Sequence, residues 1–194
     1  MPEKPVVLIV GDSISMGYTP HVADALAGEA NVVHHEGNGG DSRNVLAKLD
    51  AWLGALPAPP MVIHLNCGLH DIKINRQTRA HQVPLSEYER NLRAILARLG
   101  QTGATRMWAT TTPVIEHRHR SAKDFDRLNR DVDAFNAAAR RLMGEAGIEI
   151  DDLHAAVGGA GPASLLTADG VHFTEDGYRT LGGIVAERIR DLLA

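Results

Sequence analysis

The 194-residue chain predicts an α/β fold, a mostly parallel sheet with helices on both faces. Two observations carry this. Short apolar runs at 5–11, 31–36, 60–66, 104–110 and 147–151 alternate with longer segments of helical spacing near 18–29, 42–54, 85–100, 123–146 and 175–193. The residues with chemistry to offer also fall after the apolar runs, where open α/β sheets collect their sites.

The elements follow in order. Valines, leucine and isoleucine at 6–10 read as a buried strand that Gly11 stops, which sets Asp12 and Ser13 on the turn at its end. The second run leads into Asn38-Gly39-Gly40-Asp41-Ser42, a turn former and helix start. Pro57-Ala58-Pro59-Pro60 connects into the third run, and Gly68-Leu69-His70-Asp71 follows it. Leu85, Tyr88, Leu92, Ile95, Leu96 and Leu99 make one helix face, with Ser86 and Glu89 as a capping box and Gly100 and Gly103 as stops. The fourth run ends at Thr110-Thr111-Thr112-Pro113. Phe125, Leu128, Val132, Phe135 and Leu142 predict one helix over 123–146, ended by Gly144 and Gly147. After the fifth run come Asp169 and His172, then a helix containing Gly177 and Tyr178. With no repeat, low-complexity tract or linker, residues 1–194 are expected to form one domain.

Hydrophobic content of 44% and charged content of 23% are ordinary for a globular chain, and a net charge of −4 gives no reason to expect nucleic-acid binding. Arg118, Arg120, Arg127 and Arg130 have acidic neighbours and read as a solvated helix face. Cys67 is the single cysteine, which rules out an intrachain disulfide and reads as a small buried residue. Beyond Met1-Pro2-Glu3-Lys4-Pro5 the apolar stretch is too short for a signal sequence or membrane span, so a cytoplasmic protein without membrane association is expected unless a leader has been removed.

Gly11-Asp12-Ser13 and Asp169-Gly170-Val171-His172 stand out because of what a serine needs. Its hydroxyl attacks at neutral pH only when a base takes the proton. His172 can be that base, and Asp169 can hold the imidazole in the right tautomer. Read blandly, Ser13 is a helix-capping serine and His172 a surface-loop histidine.

Together the motifs resemble the SGNH, or GDSL-type, hydrolase superfamily over essentially the full length. That family shows Gly-Asp-Ser after its first strand, a glycine after the second, Gly-x-Asn-Asp after the third and Asp-x-x-His near the C-terminus. The resemblance implies a flavodoxin-like three-layer α/β/α sandwich with a five-stranded parallel sheet in the order 2-1-3-4-5. It implies Ser13 as nucleophile, His172 as general base and Asp169 as its orienting partner. The N–H groups of Ser13 and Gly40 would hold the oxyanion, with Gly39 the neighbouring alternative. The third block departs from the pattern, since His70 stands where the family carries asparagine. A histidine ring N–H can donate as the amide does, and a neutral imidazole can polarise a carbonyl, so His70 is read as a substituted oxyanion donor. Asn66 is the lesser stand-in. Asp12, Asp71, His117 and His119 are secondary candidates for substrate contact. Asp12 and Asp71 also read as acceptors that fix their own turns, and His117 and His119 equally read as solvated loop residues.

The reading is a serine esterase acting on a small-molecule ester, with a short acyl group such as acetyl on a polar or carbohydrate-like alcohol. No cofactor is required, and no metal-binding spacing is present. Thioesterase or acyltransferase chemistry uses the same residues. Two other readings stay open. One is a binding module cradling phosphate at the first helix, although the loop lacks the usual phosphate-binding patterns. The other is a hydrolase-like protein silenced by His70.

Overall fold

The computed structural model describes residues 4–194. Met1, Pro2 and Glu3, which enter the expectation about the N-terminus, lie outside the described residues. Among the described residues there are seven strands: β1 (Val6–Val10), β2 (Asn31–His34), β3 (Pro60–Leu65), β4 (Ile74–Asn75), β5 (Thr105–Ala109), β6 (Phe125–Asp126) and β7 (Glu149–Asp151). The helices are α1 (Ser13–Ala25), α2 (Ser42–Gly54), α3 (Leu85–Leu99), α4 (Glu116–Ala122), α5 (Asn129–Glu145), α6 (Leu153–Ala160), α7 (Pro162–Leu165) and α8 (Glu175–Leu193).

Five strands form a parallel sheet in the order β2-β1-β3-β5-β7, which is 2-1-3-4-5 when only that sheet's strands are counted. Parallel neighbours cannot be joined by a hairpin, so the chain crosses over through helices and both faces become covered. Helix α1 packs on α8, while α2 packs on α3 and α3 on α5, giving the outer layers of the α/β/α sandwich. All five residues of β1 are buried, as its continuous apolar run requires. Leu8, Ile63 and Trp108 are fully buried in the core. Each such aliphatic side chain contributes about 1.5–3 kcal/mol by leaving water. His64 Nε2 lies 2.9 Å from Asp151 Oδ2, a buried polar pair that links β3 and β7.

Four local expectations are corrected. The first helix begins at Ser13 and not near residue 18, because Asp12 is its N-cap, its Oδ1 accepting the Ile14 N–H at 2.9 Å. Ser13 is therefore the first helical residue and not the cap. The Ser86–Glu89 capping box does not form: α3 starts at Leu85 after Pro84 without a side-chain cap, and Glu89 pairs with Arg141 at 2.8 Å. The helix expected over 123–146 starts only at Asn129, because Phe125 and Asp126 pair with Asn75 and Ile74 in an antiparallel ribbon. The stretch 113–122, read as loop, contains α4.

Candidate active site

The sheet brings the ends of β1, β2 and β3 together with the loop before α8. Ser13, at the first position of α1, presents Oγ 3.0 Å from His172 Nε2. Its N–H belongs to the first turn, whose donors have no partner inside the helix. His172 Nδ1 lies 2.6 Å from Asp169 Oδ2. The other carboxylate oxygen, Oδ1, accepts the N–H groups of Val171 at 3.0 Å and His172 at 2.9 Å and the Thr167 hydroxyl at 2.9 Å. Burial pushes the Asp169 carboxyl up, but the His172 ring and these donors reverse it and hold the group well below the usual carboxylate range. An ionised Asp169 draws the ring proton to Nδ1, which leaves the Nε2 lone pair facing the Ser13 hydroxyl. Gly170 makes the loop possible. Its φ is +72°, and an added Cβ would lie 2.5 Å from the Ile115 carbonyl oxygen.

Gly39 and Gly40 differ sharply. Gly39 N–H donates to the Gly11 carbonyl at 2.9 Å, and a Cβ on Gly39 would come within 2.5 Å of that oxygen. This donor is therefore consumed in holding the β2 loop against the β1 turn. Gly40 N–H donates at 2.8 Å to the side-chain oxygen of exposed Asn38. Asn38 shares one groove with Ser13 and His172, so an arriving oxygen could replace its amide oxygen at the Gly40 N–H.

His70 is half-buried on the wall of the same groove. Burial, reinforced by Lys73 and Arg127, pushes its imidazole down to about 3, so the ring is neutral at physiological pH and carries one N–H to give. Asn66 is engaged elsewhere: its Nδ2 donates to the Ala109 carbonyl at 2.7 Å and to Thr111 Oγ1 at 3.3 Å.

The secondary candidates do not reach the groove. Buried Asp12 caps α1 through Oδ1, its Oδ2 has no hydrogen-bond partner, and the residue lines a cavity of about 20 Å³ with Ser15 and Thr110. Burial raises its carboxyl. Asp71 is fully buried, pushed up to about 7 by that burial, and bonded to Ser42. His119 is fully buried with its ring 5.2 Å from that of Phe125, because α4 turns it inward. His117 is exposed on the same helix and lines a neighbouring recess with Glu116, Arg120, Asp126 and Arg127. Cys67 is buried, and that burial pushes its thiol well above the ordinary range.

Sequence reading missed Lys73, Lys123, Phe125 and Arg127, which line this groove of about 340 Å³. Arg127 is not on a solvated helix face: it precedes α5 and is 5% exposed. The signal that could have found these residues is the pairing of 74–75 with 125–126, which leaves no local period. Among the described residues no group of three or more His, Cys, Asp or Glu side chains is arranged to hold a metal ion, and no helix is long and apolar enough to cross a membrane.

The model of the GDSL-like lipase/acylhydrolase family matches residues 9–180. Among solved structures, the chain is similar to the lipase/acylhydrolase from Enterococcus faecalis, with TM-score 0.80 and 20% identity over 96% of each chain. It is similar to the acetyl xylan esterase AlAXEase, with TM-score 0.75 and 17% identity over 95% of this chain and 99% of that one. It also matches LAE5, an alpha/beta hydrolase from the metagenome of Lake Arreo, Spain, with TM-score 0.77 and 19% identity over 100% of this chain and 96% of that one. No curated protein sequence matches significantly. At these identities the structural likenesses speak for the fold.

Proposed function

The chain belongs to the GDSL-like lipase/acylhydrolase family, and from that premise we propose a serine esterase that works through an acyl-serine intermediate. The observation that carries this is the hydrogen-bonded line Ser13 Oγ, His172, Asp169, at 3.0 and 2.6 Å. Ser13 Oγ bonds to the ester carbonyl carbon as its proton passes to His172 Nε2. The carbonyl oxygen becomes an oxyanion, received by the N–H groups of Ser13 and Gly40 and by the His70 ring. Such preoriented donors are often the largest single catalytic term. When the carbon–oxygen bond to the alcohol breaks, His172 returns the proton to the departing alcohol. Water then attacks the acyl-serine, gives a proton to His172, and releases the acid while Ser13 recovers its hydrogen.

A groove of about 340 Å³ with several polar side chains on its walls supports a short acyl group on a polar alcohol over a long lipid chain. One similarly folded protein is named an acetyl xylan esterase, which is consistent with this reading. The test is hydrolysis of p-nitrophenyl esters from acetyl upward by the wild type and Ser13→Ala, together with labelling by a fluorophosphonate. Activity greatest at short chains, with turnover and labelling both lost in Ser13→Ala, is the expected result. Undiminished turnover by Ser13→Ala would put the chemistry elsewhere.

A further inference from the structure

Ester cleavage alone does not account for the charge of this groove. Lys73, Lys123 and Arg127 all line it, and none of its lining residues is acidic. Ten arginines elsewhere are ion-paired, as Arg190 is with Glu29 and Arg141 with Glu89, while Arg90, Arg106, Arg118, Arg120 and Arg130 are not. The three groove cations have no ion-pair partner among the described residues. Arg127 Nε donates to the Leu69 carbonyl at 2.6 Å, and the rest of its buried guanidinium has no hydrogen-bond partner there. Lys73 Nζ and Arg127 Cζ each lie 5.1 Å from the centre of the Phe125 ring.

The ribbon makes the arrangement costly. Its ladder pairs Asn75 with Phe125 and Ile74 with Asp126, and one further step sets Lys73 opposite Arg127. Like charges directly opposed across strands are destabilising. The chain as a whole is acidic, at −4, so the cations are not a general excess that had to be placed somewhere. A local conflict of this kind, kept where substrate must lie, is what a functional site leaves in an otherwise consistent fold. An oxyanionic group would meet the open N–H groups of Arg127 and the two ammonium groups together. Asp124 lies beyond this stretch, in a neighbouring recess that also takes in Lys73 and Phe125.

We propose that the alcohol portion of the substrate carries a carboxylate or phosphate, which Lys73, Lys123 and Arg127 receive beside Ser13. The proposal rests on the serine-esterase reading and narrows its substrate class. Cations serving only the developing oxyanion would speed neutral and charged esters alike, so the preference between the two isolates the new claim.

The experiment compares 4-acetoxybenzoate and 4-acetoxyphenyl phosphate with neutral methyl 4-acetoxybenzoate, each rate normalised to alkaline hydrolysis. At low salt the wild type is expected to favour at least one anionic ester by about tenfold in kcat/KM. That preference should fall to about unity in Lys73→Met/Lys123→Met and shrink as salt is raised. The better anion tells carboxylate from phosphate. In parallel, calorimetry on Ser13→Ala measures binding of the same esters without turnover. Equal rates on charged and neutral esters overturn the proposal and leave the esterase reading standing. Absence of turnover with tenfold tighter binding of an anionic ester overturns the esterase reading and keeps the anion site. Equal binding by Ser13→Ala, or a preference untouched by the double substitution, also sinks the anion site.

Discussion

Asp71, in the loop after β3, reaches Ser42 at the start of α2, its carboxylate accepting the Ser42 N–H at 3.0 and 3.1 Å and the Ser42 hydroxyl at 2.5 Å. Asn91 of α3 adds a bond to the same hydroxyl at 2.9 Å. Two loops, one carrying His70 and the other Gly40, are thereby held at a fixed separation by one buried carboxyl.

Removing that clamp should therefore loosen both candidate oxyanion donors together. Asp71→Ala leaves the Ser42 N–H and hydroxyl buried without their acceptor, at a cost of about 1–3 kcal/mol. For a chain of this size that lowers the melting temperature by about 2–4 °C per kcal/mol. The expected kinetic signature is a fall in kcat for a short-chain ester at temperatures where the variant remains folded. An unchanged Tm would show that the contact carries no stability.

The clamp also titrates in an unusual direction. The Asp71 carboxyl is pushed up to about 7 in the folded protein, against an ordinary value near 3.8. Between those values the folded state binds the extra proton, so this group's contribution weakens as pH rises toward 7. Thermal melts from pH 4 to 8 should show a component declining with pH in the wild type and absent in Asp71→Ala.

Asp169→Asn should test the role of the carboxylate without disturbing size. An amide can no longer fix the proton on His172 Nδ1, and kcat is expected to fall by up to about 10⁴-fold, as in serine–histidine–aspartate sites generally. Fluorophosphonate labelling should slow in parallel. A loss smaller than about tenfold would mean that the Thr167 and backbone donors orient the loop sufficiently without the charge.

His70→Ala should reduce kcat by about 10²-fold, and His70→Asn should recover most of it, because an amide N–H can replace the ring N–H. His70 stays neutral down to about pH 3. Replacing it should therefore lower the pH–rate profile as a whole and leave its acid limb where it was. A purely structural His70 would instead show equal defects in the Ala and Asn variants.

His119 offers a stability test away from the chemistry. Its ring is fully buried and neither nitrogen has a partner. Burial, with Arg127 nearby, pushes it down to about 4. The unfolded chain takes up this proton near the ordinary value of 6.5, so its contribution to stability is lost as pH falls from about 6.5 to about 4. His119→Leu should raise Tm by a few degrees and flatten the acid decline in that window. A lower Tm would indicate a partner or packing role for the ring.

The strands of the main sheet were legible to within a residue or two because a central parallel strand is apolar on both faces, and β1 is all valine, leucine and isoleucine. The ends of α2 and α8 coincided with their expected bounds, since each has a polar cap and a sustained apolar stripe. Ser13, Asp169 and His172 were findable because each motif is contiguous. Lys73, Lys123 and Arg127 were not, because their meeting depends on a two-residue ladder between segments far apart in sequence. The start of α1 was missed because a single side-chain bond from Asp12 decides it. The occupant of the Gly40 donor, Asn38, depends on a side-chain orientation that no periodicity encodes.

The β4–β6 ribbon stands outside the main sheet, and none of Ser13, Asp169 and His172 belongs to it. Lys73 and Arg127 sit at its ends and Phe125 within it, so the surface that would select a substrate is separable from the machinery that would cleave it. Such an arrangement is evolutionarily modular. On the proposed reading, changes at a few ribbon positions would redirect a serine esterase toward a different alcohol while leaving the line of Ser13, His172 and Asp169 untouched.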